Sequence, residues 1–135
     1  MNVRVVDASA LAGALIDPSG YSEVVDLLED EEVEVAVPHL ADVEVLSVLR
    51  RVARRGETDS GRAVQAMALH RALSLRRFDH VDLLERAFAL REHFSAYDAM
   101  YVALAEGLNA PLVTADARLA RAVRTWTGVE VQEVG

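Results

Sequence analysis

The segment at residues 95–119 constrains the fold more than any other part of the chain. Residues 99–105 are almost wholly apolar, which predicts a helix that is covered on most of its circumference. Gly107 is expected to end this helix, and the Asn-Ala-Pro sequence at residues 109–111 to turn the chain. A short buried strand follows at residues 112–113, and a new helix begins soon after it. A buried strand between two helices is typical of an α/β domain.

The rest of the chain continues this alternation of strands and helices. The other predicted strands cover residues 3–6, 34–37 and 129–134. The other predicted helices cover residues 8–15, 22–30, 39–55, 58–75, 79–93 and 117–125. Ser22 and Thr58 are expected to cap two of these helices, and Asp79 or Asp82 to start a third.

The connections between the predicted strands indicate how the sheet is built. No hairpin turn joins consecutive strands, so we expect a mainly parallel central sheet flanked by helices. The helices at 58–75 and 79–93 are expected to form a hairpin that lies away from this sheet.

Composition limits the number of domains and the chemistry. A chain of 135 residues with 52% apolar content fits one compact domain over residues 1–135. The absence of cysteine excludes disulfides, thiolate zinc sites and cysteine nucleophiles. No apolar run approaches membrane-spanning length, and the N-terminal segment is too short and too acidic for a signal peptide. We therefore expect a soluble cytoplasmic protein without a membrane partner.

The charge distribution restricts the ways in which the chain can meet nucleic acid. A net charge of −8 argues against non-specific electrostatic binding of nucleic acid by the surface as a whole. All 14 basic residues are arginine, and most of them are clustered. The clusters are at residues 50–51 with 54–55, at 76–77, and at Arg118, Arg121 and Arg124. Each cluster fits either local phosphate contacts or a solvated helix face paired with nearby acids.

Three aspartates are predicted to meet at one edge of the sheet. Ligands of open α/β sheets bind outside the carboxyl ends of the strands. Asp7 and Asp116 each follow a predicted strand, and Asp98 lies in the first turn of the helix that precedes one of these strands. Acids gathered in this way repel one another unless a cation neutralises them. Oxygen ligands without cysteine or clustered histidine favour Mg²⁺ or Mn²⁺.

Each of these acids also has a structural interpretation. Asp7 or Ser9 can cap the first helix, and Asp116 the helix that follows it. The sequence Ser95-x-x-Asp98 is close to a capping box. The residues alone leave both interpretations open.

A fourth acid, Glu44, is not selected by helical periodicity. It falls at the border of the arginine-rich face of its predicted helix, whereas Asp42 is the acid that intrudes into the apolar arc.

Several motifs together resemble a known family. They are Asp7-Ala8-Ser9 after an apolar strand, Glu44 followed by Val-Leu-Ser-Val-Leu-Arg-Arg, Tyr97-Asp98-Ala99 with Tyr101-Val102-Ala103-Leu104-Ala105, and Leu112-Val113-Thr114-Ala115-Asp116. In order and spacing they resemble the PIN-domain ribonucleases, and more closely the VapC toxins of type II toxin–antitoxin pairs. The resemblance implies a single PIN-like domain, an α/β/α sandwich, over nearly the whole chain.

The resemblance also implies an activity and its residues. It implies endoribonuclease activity that depends on Mg²⁺ or Mn²⁺ and leaves a 3′-hydroxyl and a 5′-phosphate. The acidic metal site of the family corresponds to Asp7, Glu44, Asp98 and Asp116. Ser9 and Thr114 correspond to polar helpers beside the substrate. Arg118 and Arg121 are the arginines that we expect nearest to phosphate, because they lie one helical turn apart beside Asp116.

The resemblance further implies two protein partners. One is a second copy of the chain, in a homodimer. The other is a VapB-type antitoxin whose C-terminal segment covers the acidic site. We expect it on the exposed apolar and arginine-bearing faces of the helices between residues 22 and 55.

Two other functions share part of this pattern. Receiver-type signalling domains also gather acids around Mg²⁺, but they need a lysine at that site and this chain has none. A catalytically inactive PIN-fold protein-binding module remains the alternative.

Overall fold

Five short strands in the computed structural model, which describes residues 2–135, pair side by side into one sheet. The strands are β1 (Asn2–Val6), β2 (Val33–Pro38), β3 (Arg76–Phe78), β4 (Leu112–Thr114) and β5 (Val131–Glu133). Their order across the sheet is β3-β2-β1-β4-β5, and every pairing is parallel. The prediction of a mainly parallel sheet is therefore confirmed.

Helices connect the strands and cover both faces of the sheet. Residues 2–135 contain seven α-helices and one 3₁₀ turn at Val81–Leu83. The helices are α1 (Ala8–Ile16), α2 (Ser22–Glu29), α3 (Leu40–Arg54), α4 (Ser60–Ala72), α5 (Leu84–Ala89), α6 (Ala96–Leu108) and α7 (Ala117–Trp126). The helix α1 contacts α2, α3 and α4, while α5 packs on α6. Right-handed connections place these two groups on opposite faces, because the chain crosses the sheet in opposite directions through them. The predicted α/β/α sandwich is confirmed.

The predicted helical hairpin in the middle of the chain is wrong. The strand β3 separates α4 from α5 and pairs with β2, with Ala36 opposite Arg76 and Pro38 opposite Phe78. This strand has only three residues, two of them arginines, and it lies at the edge of the sheet. It therefore lacks the apolar alternation that identifies a strand in a sequence.

Two predicted helix caps also differ from the structure. Ser22 is the first residue of α2, and the preceding Tyr21 occupies the cap position. Asp59, not Thr58, caps α4, since its Oδ1 accepts a 2.7 Å hydrogen bond from the Arg62 N–H. In both cases the chain enters the helix one residue away from the predicted cap.

The C-terminal end of α6 lies beyond the predicted stop at Gly107. Gly107 is helical, and Asn109 adopts the left-handed conformation with φ of 50°. The N–H of Ala110 donates to the Ala105 carbonyl at 2.9 Å, the six-residue closure of a Schellman motif. Asparagine tolerates this conformation better than most residues, so it ends the helix in place of glycine.

The core is formed mainly by the strands β1, β2 and β4 and the helix α6. The segment Tyr101–Ala105 of α6 is buried, as predicted for a helix covered on most of its circumference. Fully burying a valine or leucine stabilises a fold by roughly 1.5–3 kcal/mol, so these strands and α6 are held rigidly against each other. Within the described residues, no helix is both long and apolar enough to cross a membrane.

Candidate active site

The strands β1 and β4 are neighbours whose following connections leave in opposite directions across the sheet. Val5 is opposite Leu112, and Val6 is opposite Val113. Such a switch point opens a crevice at the carboxyl ends of the strands, which is where ligands of α/β sheets bind. Asp7 directly follows β1, and Asp116 lies two residues after β4. The topology therefore brings these two aspartates to the same crevice.

Asp7 is a buried carboxylate held by three hydrogen bonds. Its Oδ1 accepts from the Ser9 hydroxyl at 2.7 Å and from the Ala10 N–H at 3.0 Å. Its Oδ2 accepts from the Thr114 hydroxyl. Asp7 thus caps α1, as the structural interpretation predicted, and also faces the crevice. Asp7 can therefore cap the helix and also belong to a cation site, because one carboxylate has enough lone pairs for both kinds of contact.

Ser9 and Thr114 form a polar link between the loops after β1 and β4. The Ser9 hydroxyl accepts from the Ala115 N–H at 3.0 Å, and the Thr114 hydroxyl accepts from the Asp116 N–H at 3.0 Å. Thr114 is fully buried, so its hydroxyl orients Asp7 and is not presented to a substrate. Ser9 is partly exposed and lines the crevice.

Asp116 and Asp98 stand at the first turns of two helices. Asp116 caps α7, since its Oδ1 accepts from the N–H groups of Arg118 at 2.9 Å and Leu119 at 3.1 Å. Ser95 caps α6, with its hydroxyl accepting from the Asp98 N–H at 3.1 Å. Asp98 itself is half-buried in the first turn of α6. Helix N-termini favour nearby negative charge, so both positions suit an acidic side chain.

Glu44 reaches the crevice from α3, and Asp42 does not. The Tyr101 hydroxyl donates to Glu44 Oε1 at 2.7 Å. Asp42 instead accepts two hydrogen bonds from Arg77, at 2.8 and 3.0 Å, and lies 2.7 Å from His70 Nε2. The acid that periodicity favoured is therefore part of an ion pair on another face of α3.

All four acids line one cavity, which we call the acidic cavity. It has a volume of about 220 Å³. Its lining is Asp7, Ala8, Ser9, Glu44, Ser47, Val48, Arg51, Asp98, Tyr101 and Asp116. Sequence reasoning missed Ser47 and Arg51 as lining residues, although they follow Glu44 by three and seven positions on α3 and so share its face.

Burial and mutual repulsion raise the pKa of three of these acids. Burial raises the pKa of Asp7 most, its hydrogen bonds from Ser9, Thr114 and Ala10 oppose the rise, and the charge of Asp98 adds to it. Burial also raises the pKa of Glu44, as do the charges of Asp98 and Asp7.

Asp98 follows the same pattern. Burial raises its pKa first, and the charge of Asp116 raises it further, whereas Ser95 and Arg118 lower it. Four acids and one arginine line the acidic cavity, so negative charge predominates there and a cation would be attracted to it.

The donor set fits a hard divalent cation. Carboxylate and hydroxyl oxygens are the ligands that Mg²⁺ and Mn²⁺ prefer, and they are the polar side-chain atoms that surround Asp7. Within residues 2–135, however, no three Asp, Glu or His side chains already stand at the distances of a ligand set. The acids line a common cavity, and their convergence on one ion stays a prediction.

A second cavity adjoins the acidic cavity and contains both arginines that were predicted to lie near phosphate. Asp98 and Asp116 line both cavities. Arg118 and Arg121 line the second cavity only. Sequence reasoning missed His93 and Trp126, which also line it, because they lie far apart in the sequence and nothing local pairs them.

Comparison with known proteins relates the chain to one family. A family model described as PIN domain matches residues 4–124. VapC ribonuclease Mb0985 of Mycobacterium bovis is 44% identical over 115 residues, which cover 85% of this chain and 87% of that protein. The match thus includes most of both chains.

Solved structures show the same fold. The crystal structure of PAE2754 from Pyrobaculum aerophilum has a TM-score of 0.71 at 26% identity and covers 96% of this chain and 83% of that chain. The crystal structure of VapBC2 from Rickettsia felis bound to a DNA fragment from their promoter has a TM-score of 0.65 at 16% identity, covering 98% and 99%. The fold is shared over nearly the full length.

Proposed function

This chain belongs to the PIN-domain family and groups with the VapC ribonucleases, and from this premise we propose that it is a Mg²⁺- or Mn²⁺-dependent endoribonuclease, the toxin of a type II toxin–antitoxin pair. The observation that carries the proposal is the acidic cavity. Four carboxylates from separate parts of the chain line it at the switch point of the sheet, and burial raises the pKa of three of them. Such clusters of perturbed acids are typical of catalytic sites.

The four acids of the acidic cavity and the hydroxyl groups that bond to them have separate tasks in this proposal. Asp7, Glu44, Asp98 and Asp116 would hold the ion. When bound, Mg²⁺ or Mn²⁺ supplies an activated water and stabilises negative charge on the scissile phosphate. The Ser9 and Thr114 hydroxyls fix the two oxygens of Asp7, and the Tyr101 hydroxyl fixes Glu44. These bonds pre-organise the carboxylates, so less ordering is needed when substrate binds.

The reaction that fits this arrangement is hydrolysis by water. Attack of water on phosphorus breaks the P–O3′ bond and leaves a 3′-hydroxyl and a 5′-phosphate. Cleavage through the ribose 2′-hydroxyl would need a positioned base, for which enzymes often use histidine. None of the four histidines lines the acidic cavity. His70 is buried against Asp42, and the His80 ring accepts a hydrogen bond from the Leu40 N–H.

Arginines on both sides of the acidic cavity would contact phosphates of the RNA backbone, although the protein is acidic as a whole. On one side, Arg51 lines the cavity and continues into an exposed cluster with Arg50, Arg54 and Arg55. On the other side, Arg118 lines the adjoining cavity. Local phosphate contacts of this kind are compatible with a net charge of −8, because exposed charges act over about 8–10 Å at ordinary salt.

The proposed partner is a VapB-type antitoxin. Related structures include VapBC2 from Rickettsia felis, in which toxin and antitoxin crystallised together on DNA. In this chain Val43 and Leu46 are exposed on α3, and Arg50 and Arg54 follow on the same face at helical spacing. We call this the α3 face. It would accept an antitoxin segment that carries both apolar and acidic side chains. A homodimer, which the family resemblance implies, is also proposed and is testable by light scattering.

A cleavage assay with mapped products tests the proposed function. Purified protein is incubated with total RNA in Mn²⁺ and in EDTA, and the new 5′ ends are sequenced. We expect defined cleavage sites with 5′-phosphates in Mn²⁺ and no cleavage in EDTA or with Asp7→Asn. Cleavage that persists in EDTA would exclude the metal mechanism. A folded protein that cuts no RNA but binds the antitoxin would instead be a PIN-fold binding module.

A further inference from the structure

The cavity beside the acidic cavity has the size of a small-ligand site. Its volume is about 360 Å³, within the range of about 300–1,000 Å³ that small-ligand sites occupy. Its wall contains the buried side chains of Phe94 and Leu119, together with charged and aromatic groups. Because Asp98 and Asp116 belong to both cavities, a molecule bound here would lie directly beside the acidic one. We call it the flanking cavity.

A stacked aromatic pair forms one side of the flanking cavity. The rings of His93 and Trp126 are parallel within 6°, with centroids 3.5 Å apart. His93 precedes α6 and Trp126 ends α7, so the fold brings them together from distant positions. Trp126 is nonetheless 54% exposed. A ring that is held by a stacked neighbour and remains about half exposed can stack a planar ligand at low entropic cost.

Two arginines complete the flanking cavity. Arg118 and Arg121 are exposed on α7, and neither makes an ion pair within the part of the chain that the structure describes. Arg124, on the same helix, lies 3.4 Å from Glu133. Arginines that are not held in an ion pair can donate paired hydrogen bonds to phosphate oxygens.

We propose that the flanking cavity binds the nucleotide adjacent to the scissile phosphate of single-stranded RNA. The base stacks on Trp126, and its phosphate contacts Arg118 and Arg121. This inference rests on the proposed function and deepens it, because it makes the substrate a single strand with an unstacked base. Duplex RNA keeps its bases inside the helix and cannot offer this contact. A peptide of acidic residues suits the cavity less well, since it has no aromatic ring to stack on the aromatic pair.

The only tryptophan of the chain is Trp126, so its fluorescence reports directly on the flanking cavity. We would titrate the protein with a short single-stranded RNA in EDTA and low salt, where metal-dependent cleavage does not occur. Saturable quenching is expected with intact RNA, and little quenching with an RNA of the same length that lacks bases. Equal quenching by both RNAs would overturn the stacking assignment. Equal quenching by an acidic peptide would assign the cavity to a protein partner instead.

Variants provide the second readout, by anisotropy of a labelled RNA. Base stacking on an aromatic side chain accounts for about 5- to 150-fold in affinity, so Trp126→Leu should weaken binding by this order. The double variant Arg118→Gln/Arg121→Gln should also weaken binding and reduce its salt dependence. The control Arg124→Gln should retain parental affinity, because this arginine is paired with Glu133. His93→Ala is a second test of the pair if Trp126→Leu does not fold. Unchanged affinity in all folded variants would overturn the proposal.

Cleavage-site mapping separates this inference from the proposed function. If Trp126→Leu cuts RNA at parental sites with parental efficiency, the flanking cavity is not a nucleotide site although the nuclease assignment stands. If the parent quenches with RNA but cuts nothing in Mn²⁺, the binding site stands and the nuclease assignment fails.

Discussion

The Tyr101 hydroxyl donates a 2.7 Å hydrogen bond to Glu44 Oε1, and this bond joins α6 to α3 beside the acidic cavity. Tyr101 is itself buried, so the hydroxyl and the carboxylate satisfy each other where little water is available. Burial raises the pKa of Glu44, the bond from Tyr101 opposes this rise, and the charges of Asp98 and Asp7 add to it. Burial and the bond to Glu44 raise the pKa of Tyr101, which keeps its hydroxyl a donor.

Removing this donor should affect both stability and activity. Tyr101→Phe keeps the ring and its packing but leaves Glu44 without its partner, at a cost of about 0.5–1.5 kcal/mol. The pKa of Glu44 should rise further, so the acidic limb of the pH–rate profile should move to higher pH. Denaturant unfolding and RNA cleavage between pH 5 and pH 8 measure the two effects. A variant with parental stability and an unshifted profile would show that the bond has no role.

The variant Asp98→Asn separates a metal ligand from a helix-capping acid. If Asp98 mainly stabilises the first turn of α6, its loss should cost roughly 0.3–1 kcal/mol with or without metal. If it belongs to the acidic cavity, the variant should be as stable as the parent or more so in EDTA, because like-charge repulsion is removed. Cleavage should then collapse, and Mn²⁺ should raise the melting temperature less than it does for the parent. We expect this second pattern.

The matched control is Asp42→Asn on α3. Asp42 pairs with Arg77 and His70 outside the acidic cavity, and its side chain is 41% exposed. Its loss should cost about 1 kcal/mol after discounting for solvent screening, while cleavage and the response to Mn²⁺ remain. An Asp98→Asn protein that is destabilised in EDTA and fully active in Mn²⁺ would overturn the site assignment.

The raised pKa values predict the direction in which folding stability changes with pH. Asp7, Glu44 and Asp98 have folded-state pKa values above their ordinary values of 3.8, 4.5 and 3.8. They therefore favour the folded state below about pH 4, and this contribution is lost as pH rises through the raised values. In EDTA, the stability of Asp98→Asn relative to the parent should accordingly increase from pH 4 towards pH 7.

Asp42→Asn should show the opposite dependence. Hydrogen bonds from Arg77 lower the pKa of Asp42, so its contribution is present at neutral pH and lost on acidification. Mn²⁺ affinity of the parent should fall as pH decreases, because the ligands must be ionised. Melting curves in EDTA and Mn²⁺ at several pH values measure all three trends. A stability difference for Asp98→Asn that does not change with pH would contradict the assignment of its raised pKa.

Thr114 is predicted to act on Asp7 through its buried hydroxyl. Thr114→Val preserves the shape but leaves Asp7 Oδ2 and the Asp116 N–H without this partner, at a cost of about 1–3 kcal/mol. Cleavage should fall because Asp7 loses its fixed orientation. Thr114→Ser keeps the hydroxyl and loses a methyl group, so it should retain most activity despite some destabilisation. Equal activity in the two variants would show that the hydroxyl does not position Asp7.

The α3 face is predicted to bind the antitoxin. Leu46 is 53% exposed, so Leu46→Asp should leave folding and RNA cleavage intact. Binding of the product of the neighbouring small gene should weaken by at least about tenfold, as for an interface residue that contributes more than about 1.4 kcal/mol. Val81→Asp, at a 73% exposed position outside this face, is the control. Co-expression of the small gene should abolish growth arrest by the parent but not by Leu46→Asp, and continued arrest by the parent would refute the pairing.

The local sequence was sufficient to predict those strands and helices whose structure depends on their own residues. Short β-branched runs followed by amphipathic segments predicted β1, β2 and β4 with their helices, because strand and helix periodicities are local. Parallel pairing followed from the absence of hairpin turns. Since parallel strands end at the same edge, Asp7 and Asp116 were expected to be neighbours, and both line the acidic cavity.

The tertiary structure decided what depends on contacts between distant segments. Periodicity ranked Asp42 above Glu44, but the crossing of α3 over the fold turns Asp42 towards Arg77 and Glu44 towards Tyr101. The strand β3 forms because β2 offers it a free edge, not because its own residues are apolar. Likewise, His93 precedes α6 and Trp126 ends α7, and the two rings stack only because the fold brings these distant segments together. A sequence fixes the face on which a side chain lies within its own element, whereas its neighbour across an interface is set by how whole elements pack.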